Sequence, residues 1–439
     1  MSRYKVNVVT MGCSKNLVDS ERVSRMLGDA GFDVSNDADM SPGERYTVVI
    51  NTCGFIGDAK EESIEAILEA CRAKEDGGVD RVYVMGCLSE RYRDDLPAEI
   101  PEVDRWFGKF DWAGVADALV ADTASSYARR RSREWDRKIT TPSHHAYLKI
   151  AEGCNRFCAF CAIPLITGRF KSRPIEEILD EVAELVSRGV VEFNVIAQDL
   201  SAYGHDIYGR SALAELIERM AQTRGVGRIR LHYAYPADFP YDILPVMAAH
   251  DNVCKYLDIA LQHIDDTVLG NMRRHITADE TRRLLDRIRA EVPGIHIRTT
   301  LMVGFPGETD EAFERLIDFV KEQRFERMGA FAYCEEDDTW AARNLTDNIS
   351  DDVKQQRLDR LMAVQEDIAL ETNEAKVGKT LRVLIDVEQD DYYVGRTEFD
   401  SPEVDPEVLV EKTVNLKPGQ FCDVEILRAL PFELIGRPV

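Results

Sequence analysis

The sequence of 439 residues contains no apolar run of about 18 residues, the length that a membrane-spanning helix needs. Its first residues, MSRYKVNVVTMGCSK, have too short an apolar stretch and no small-residue cleavage pattern for a secretory signal. These absences predict a cytoplasmic protein without a membrane anchor. Disulfides are rare in that compartment, so clustered cysteines are expected to be metal ligands or catalytic groups.

Positive charge is also scarce, because 55 Lys and Arg residues stand against 79 Asp and Glu residues, a net charge of −24. A surface this acidic repels nucleic acid phosphates and favours a basic partner. An acidity that only aids solubility explains the same count about as well. The remaining composition is that of a globular protein, and the length predicts about three domains.

Six of the ten cysteines fall into two groups of three. The compact group, Cys154-x-x-x-Cys158-x-x-Cys161, follows an alternating strand-like run in YLKIAEGCNRFCAFCAIP. Three thiolates do not complete a tetrahedral site on one ion, but they can hold three corners of a 4Fe–4S cluster. The fourth iron then stays open, as reductive cleavage of S-adenosylmethionine (SAM) requires. This spacing resembles the signature of the radical SAM superfamily.

The second group consists of Cys13, Cys53 and Cys87, and each follows a predicted strand, in VVTMGC, VVINTC and VYVMGC. Ligands gather at the carboxyl ends of strands in open α/β sheets, so these three thiolates are predicted to hold another 4Fe–4S cluster. The structural alternative is three unrelated buried thiols, since cysteine is among the most buried residue types.

The residues around the second group agree with the cluster hypothesis. A glycine lies beside each cysteine and would let backbone approach a bulky group: Gly12, Gly54 and Gly86. The other four cysteines lack this context and are expected to fill core or surface positions: Cys71, Cys254, Cys334 and Cys422.

Strand and helix patterns divide the chain into three parts. A basic linker at 129–145 lies between the first part and the second. Residues 1–128 alternate strands and helices and predict a parallel sheet. The second part, 146–371, contains six further strand–helix repeats and most of a polar helix that follows them near 351–374. Short strands separated by turns fill 372–439 and predict a small all-β barrel.

Several motifs together resemble the radical SAM methylthiotransferase family over essentially the whole chain: MGCSKNLVDSE, the compact cysteine group, GFPGET at 304–309 and the terminal barrel. The resemblance implies a partial (β/α)6 radical SAM barrel and an OB-like TRAM domain. It also implies two 4Fe–4S clusters, the first on Cys13, Cys53 and Cys87. The second, on Cys154, Cys158 and Cys161, binds SAM and yields the radical that abstracts a hydrogen atom.

The same resemblance suggests SAM contacts. In the superfamily an aromatic residue before the third cysteine lies against adenine, which maps onto Phe160, although a core aromatic fits as well. The usual Gly-Gly-Glu strand is replaced by VIAQDLSAYG, which leaves Gln198 and Asp199 as candidates. Arg298 and Thr299 on a later strand are weaker candidates.

Two branches of the family differ in their acceptor, an adenosine in tRNA or an aspartate in ribosomal small-subunit protein 12. Stretches such as NLVDSE, VIAQDLSAYG and RTTLMVGFPGET resemble the second branch. From Asp386 to Glu411 the chain has ten acidic residues and one basic residue, Arg396. An acidic barrel face would repel tRNA and complement a basic protein.

The sequence therefore predicts an enzyme that methylthiolates the β-carbon of an aspartate in that ribosomal protein, free or on the assembled subunit. A cellular electron donor is a further expected partner. A tRNA adenosine methylthiotransferase is the alternative within the same chemistry. A non-catalytic iron–sulfur or RNA-binding adaptor is the alternative of another class.

Overall fold

The computed structural model describes residues 4–39, 46–123 and 135–439. The chain divides into two compact units, and segments 153–155 and 161–169 group with the N-terminal one. None of the helices in the described ranges is long and apolar enough to cross a membrane. The predicted linker at 129–145 begins outside the described residues, which resume at 135.

The first unit contains a five-stranded parallel sheet in the order β2-β1-β3-β4-β5, as the alternating pattern predicts. Its strands are β1 Lys5–Thr10, β2 Asp33–Asn36, β3 Tyr46–Thr52, β4 Val79–Gly86 and β5 Arg105–Trp106. Its helices are α1 Ser14–Asp29, α2 Gly57–Glu75, α3 Cys87–Arg91, α4 Leu96–Glu99, α5 Trp112–Asp122 and α6 Ile163–Thr167.

Alternating residues of β3 face two separate cores. Val49 packs with Leu27 of α1 and Leu119 of α5, whereas Val48 and Ile50 pack with Ile67 of α2 and its neighbours. Side chains of a strand point alternately to the two faces, so a strand of continuous apolar residues is covered on both sides. The sheet is therefore a buried middle layer whose strand ends carry the loops.

The second unit is built on a six-stranded parallel sheet in the order β13-β12-β11-β10-β9-β6. Its strands are β6 His145–Lys149, β9 Glu192–Ile196, β10 Arg228–Ala234, β11 Val253–Gln262, β12 His296–Val303 and β13 Arg327–Ala332. The order follows the sequence, which confirms the six predicted repeats. The short strands β7 Ala151–Glu152 and β8 Lys171–Ser172 form a separate antiparallel pair.

Amphipathic helices connect these strands. They are α7 Ile175–Ser187, α8 His205–Tyr208, α9 Leu213–Ala221, α10 Ile243–Ala249, α11 Asp266–Asn271, α12 Ala278–Glu291, α13 Asp310–Gln323, α14 Trp340–Asn344 and α15 Asp351–Glu374. In α7 the apolar stripe is buried, with Ile178 and Val182 fully covered. Thr277 and Glu280 form a reciprocal capping box at the start of α12, which satisfies two amide donors of its first turn.

The C-terminal strands close into a five-stranded barrel in the order β14-β15-β16-β18-β17. The strands are β14 Thr380–Glu388, β15 Tyr392–Arg396, β16 Glu407–Glu411, β17 Phe421–Leu430 and β18 Glu433–Pro438. Inward-facing residues such as Val383, Val408 and Ile426 are fully buried in its core. The predicted small all-β barrel is confirmed.

Within the second unit, the barrel packs against the amino ends of the parallel strands. Arg228, the first residue of β10, donates to the carbonyls of Arg396 and Arg382 at 3.1 and 3.3 Å. Arg327, the first residue of β13, donates to Asp400 at 2.7 Å. His296, the first residue of β12, stacks on Phe399. The barrel therefore lies at the end of the sheet opposite to the loops that follow the strands.

The acidic segment does not form the single exposed face that its charge count predicts. Asp400 is fully buried against Arg327, and the side chain of Asp405, 2% exposed, accepts a hydrogen bond from Tyr256. Asp386 accepts two hydrogen bonds from Arg396. A half of the ten acidic residues stays exposed: Glu388, Asp390, Asp391, Glu403 and Glu407. The exposed acidic charge is therefore smaller than the count of ten predicts, because other carboxylates of the segment neutralise buried arginines.

Candidate metal centres

The three cysteines of the first group follow adjacent strands, as their positions in the sequence predict. Cys13 lies between β1 and α1, Cys53 follows β3, and Cys87 is the first residue of α3 after β4. Because β1, β3 and β4 are neighbours in the sheet, their carboxyl ends bring the three loops to one edge. Cys53 and Cys87 are buried, and Cys13 is exposed.

Glycines make this close approach of the loops possible. A Cβ atom on Gly12 would lie 2.7 Å from Cys53 Sγ, and one on Gly54 would lie 2.7 Å from the backbone of Leu88. Real Cβ atoms do not approach other atoms so closely, so any side chain here would push the loops apart. Gly12 also has a φ of +86°, which L-residues with a side chain rarely adopt.

Asn16 connects the cysteine loops and was not singled out by its sequence. Its side-chain amide donates to the carbonyls of Met11 and Thr52, both at 3.0 Å, and its Oδ1 lies 3.4 Å from Cys87 Sγ. Lys109 Nζ lies 3.5 Å from the same Oδ1 and 3.0 Å from Asp19 Oδ2. The side-chain amide of Asn16 therefore contacts the Cys87 thiol, and the buried ammonium group of Lys109 contacts the same amide.

Two thiols of this site are strongly desolvated. Burial raises the pKa of Cys87 to about 12, although the nearby charge of Lys109 opposes the shift, and burial also raises the pKa of Cys53. Positive charge from bound iron would keep such thiolates deprotonated. Across the described ranges, no three His, Cys, Asp or Glu side chains are arranged to hold a single metal ion. That finding concerns one ion, whereas a cluster places its own atoms between the cysteines.

The compact group lies on the loop that follows β6 and β7. Cys154 and Cys158 are buried and Cys161 is half-buried. The amide of Cys154 donates to the carbonyl of Gly168 at 3.3 Å. Farther along the loop, the amide of Ala159 donates to the carbonyl of Met272 at 2.9 Å. These bonds fix the backbone on which the cysteines are carried.

Cys158 lies in a pocket of cationic and aromatic side chains. Arg274 Nη1 is 3.1 Å from its Sγ, and the hydroxyl of Tyr235 is 3.8 Å away. The guanidinium carbons of Arg274 and Arg156 lie 4.1 and 4.3 Å from the centre of the Tyr235 ring. A sulfur with a buried guanidinium donor beside it suits a thiolate ligand, which carries negative charge.

Two of the predicted SAM contacts lie at the carboxyl end of β9, and both are in polar networks. Gln198 donates to Glu152, which also accepts from Lys149 at 2.7 Å. Asp199 accepts a hydrogen bond from Arg156 Nε at 2.6 Å. Both residues lie beside the cysteine loop, and their contact with SAM stays a prediction.

The other predicted contacts lie elsewhere. Arg298 is 3.7 Å from Asp258 and 3.4 Å from Asp405, on the side of the C-terminal barrel. Thr299 is fully buried and donates to the carbonyl of Ile259 at 2.8 Å. The structure does not group these two with the residues that follow the strands. Phe160 is half-buried, with its ring 6.3 Å from that of Phe305.

The GFPGET turn has a structural explanation. Glu308 is buried, accepts from the amide of Gly304 at 3.0 Å and pairs with Arg357 of α15 at 2.7 Å. His263, also buried, lies 3.2 Å from the same carboxylate. His232 lies inside the sheet, 3.4 Å from Asn194. These contacts indicate that the turn and both histidines stabilise the fold.

Models of three known families match the chain in this order. The description "Uncharacterized protein family UPF0004" matches residues 5–108, the Radical SAM superfamily matches 148–320, and the TRAM domain matches 377–439. The first match covers the Cys13 group, and the second covers the compact group.

Curated relatives are similar along their whole length. A ribosomal protein uS12 methylthiotransferase RimO from Phocaeicola vulgatus is 58% identical over 435 residues, 99% of each chain. A relative with the same description from Porphyromonas gingivalis is 56% identical over all of both chains. One from Christiangramia forsetii is 48% identical and covers all of this chain and 95% of its own.

Among solved structures, the radical SAM methyltransferase TsrM from Kitasatospora setae, with cobalamin and a [4Fe-4S] cluster bound, has a similar fold. The TM-score is 0.54 at 16% identity, over 75% of each chain. This similarity confirms the fold of the radical SAM part and carries nothing about the substrate.

Proposed function

Because the chain belongs to the family of ribosomal protein uS12 methylthiotransferases RimO, we propose that it adds a methylthio group to the β-carbon of an aspartate in that ribosomal protein. The observation that carries the proposal is 58% identity over 99% of both chains. At such identity and coverage the three matched domains belong to one enzyme type. The chain is a radical SAM transferase, which separates it from a non-catalytic adaptor.

We assign a 4Fe–4S cluster to each cysteine group, the first to Cys13, Cys53 and Cys87. The compact group holds the second cluster, whose open iron binds SAM. When bound, the clusters and two SAM molecules supply the electron, the hydrogen abstraction and the sulfur that C–S bond formation requires. We place the domain boundaries at 1–128, 146–371 and 372–439, with the linker at 129–145.

The protein's own residues would position these groups and keep water away from them. Gly12 and Gly54 let the cysteine loops approach each other closely, and Asn16 fixes these loops. At the second cluster, Phe160 would lie against the adenine of SAM. Gln198 and Asp199, already held by hydrogen bonds, would face its amino acid part.

The acceptor is a basic protein in this proposal, free or on the assembled ribosomal subunit, and the enzyme acts in the cytoplasm with a cellular electron donor. The net charge of −24 favours such a partner. The C-terminal barrel adds less to this argument than its sequence predicts, because five of its ten acidic residues are covered to some degree. The five acidic residues that stay exposed still give this part of the surface a negative charge, which favours a basic partner.

Anaerobic incubation of the reconstituted enzyme with SAM and dithionite tests the proposal. One reaction contains a peptide spanning the aspartate loop of ribosomal protein uS12, and a parallel reaction contains tRNA. We expect a methylthio mass gain on the peptide, 5′-deoxyadenosine release and about eight irons per chain. Modification of tRNA alone would contradict the acceptor, and a lack of 5′-deoxyadenosine would contradict the radical mechanism.

Two variants separate the roles of the clusters. Cys158→Ala is expected to abolish 5′-deoxyadenosine formation. Cys13→Ala is expected to keep SAM cleavage and to stop methylthio transfer. The matched control is Cys334→Ala, which removes an exposed cysteine outside both groups and is expected to leave both products unchanged. Loss of SAM cleavage in Cys13→Ala would refute the division of roles.

A further inference from the structure

Arg274 has surroundings unlike those of the other buried arginines in its unit. Its side chain is buried, at 3% exposure of the residue, and Nη1 lies 3.1 Å from Cys158 Sγ. Arg327, Arg357 and Arg396 are buried as well, but each donates to a carboxylate at 2.6–2.7 Å. Within the described ranges no carboxylate forms an ion pair with Arg274, so its counter-charge has to come from another group.

The Nε atom of Arg274 is buried and is left without an acceptor among the described residues, as are the Nε atoms of Arg230 and Arg327. A buried donor without an acceptor costs about 1–3 kcal/mol, and a buried charge without a partner costs more. A negatively charged group next to Cys158 that is not part of the polypeptide would remove the cost of the unpaired charge. A cluster ligated by cysteine thiolates, with its sulfides, is such a group.

The position of Arg274 is fixed from three sides. Its Nη2 donates to the carbonyl of Ala260, and its own carbonyl accepts from the hydroxyl of Tyr235 at 2.8 Å. The Tyr235 ring lies against the guanidinium, and Arg156, paired with Asp199, lies against the same ring. The guanidinium is therefore held beside Cys158 by the fold itself, before any cluster binds.

We propose that Arg274 is a positioning residue that donates a hydrogen bond and positive charge to the Cys158 thiolate and thereby raises the reduction potential of the SAM-binding cluster. The inference rests on the proposed function, because it needs the second cluster on Cys154, Cys158 and Cys161. Hydrogen bonds to sulfur and nearby charge are among the factors that set cluster potentials. Both stabilise the added electron, so they make reduction easier before SAM is cleaved.

The test uses full-length protein in which Cys13, Cys53 and Cys87 are all replaced by alanine, so that only the second cluster remains. In this background we compare Arg274→Met, Arg274→Lys and the control Arg273→Met. Arg273 is the adjacent residue, exposed and against Trp340. The measurements are iron and sulfide content and the midpoint potential from a redox titration followed by electron paramagnetic resonance.

We expect Arg274→Met to keep its cluster and to shift the midpoint potential to a more negative value. Arg274→Lys, which keeps the charge but loses the planar fork, is expected to fall between wild type and Arg274→Met. Arg273→Met is expected to match the unsubstituted background. A full cluster with an unchanged potential in Arg274→Met would overturn the proposal for Arg274 alone.

Other outcomes distinguish the proposal from the assignment on which it rests. If the background protein itself binds no cluster, the ligand assignment fails, and the proposal for Arg274 fails with it. If Arg274→Met does not bind a cluster, Arg274→Gln, which keeps an NH2 donor group without the charge, replaces it. A potential for Arg274→Gln equal to that of the background protein would then overturn the proposal.

Discussion

The buried contact between Arg396 of the C-terminal barrel and Glu192 of β9 makes a quantitative prediction. Their side chains are 3% and 0% exposed, and two hydrogen bonds of 2.6 and 3.1 Å join them. Arg396 also binds Asp386 at 2.7 Å. The variant Arg396→Met keeps most of the apolar stem and removes the charge that neutralises both carboxylates.

The expected loss of unfolding free energy depends on the charges that still surround Glu192 and Asp386 in the variant. Removing one partner of a buried ion pair costs about 3–5 kcal/mol, because the other charge stays desolvated. Arg230 still lies 3.2 Å from Glu192, and His144 lies 2.7 Å from Asp386. We therefore expect the lower end of the range, about 3 kcal/mol, for Arg396→Met. In the Arg396→Met protein, Glu192→Gln should lower the free energy of unfolding by less than it does in the wild type. The two effects should differ by about 1 kcal/mol or more.

Urea unfolding of the full chain, followed by far-ultraviolet circular dichroism, measures these differences. The control is Arg437→Met, which breaks an exposed pair with Glu425 on the same barrel and should cost less than about 1 kcal/mol. A loss for Arg396→Met no larger than for Arg437→Met would refute the reasoning. Strict additivity of the Glu192 and Arg396 variants would refute the direct coupling.

Three further predictions concern the first cysteine site and the pH dependence of stability. Lys109→Met removes the ammonium group that lies 3.0 Å from the carboxylate of Asp19, which is 1% exposed. This change should lower the free energy of unfolding in urea by about 3–5 kcal/mol. Gly12→Ala places a Cβ 2.7 Å from Cys53 Sγ and should cost about four irons per chain, whereas Gly77→Ala, with similar φ and open space, should keep them. Although burial opposes it, flanking arginines hold the pKa of Glu192 well below its ordinary value. The stability that this carboxylate contributes is therefore full above about pH 4.3 and lost as the pH falls further. The difference in unfolding free energy between wild type and Glu192→Gln should narrow below that pH, and a constant difference would contradict the ion-pair assignment.

Local patterns predicted the elements well because each depends on neighbours in the sequence. The apolar run VVINT predicted a strand where β3 lies, and the polar pattern near 351–374 predicted α15. The sequence also predicted that Cys13, Cys53 and Cys87 follow three strands and lie at one edge of the sheet. The prediction was possible because the carboxyl ends of parallel strands share an edge.

Pairings between distant residues could not be predicted in this way. Arg274 lies 116 positions from Cys158, and no spacing or motif connects the two. The acidic segment misled for the same reason, because a charge count does not show that Asp400 neutralises Arg327, 73 positions away. Gly12 was expected to give room, but only the structure shows that the room is next to Cys53 Sγ.

The attachment of the C-terminal barrel to the amino ends of the strands sets a minimum size for any molecule that touches both the barrel and the loops at the carboxyl ends of these strands. The strand β12 has eight residues, and at about 3.3 Å per residue it spans roughly 25 Å. A polypeptide reaching from one end to the other along the outside of the sheet needs at least about eight extended residues. A shorter peptide would reach only one end of the sheet, and a comparison of peptide lengths would show whether a bound polypeptide reaches both.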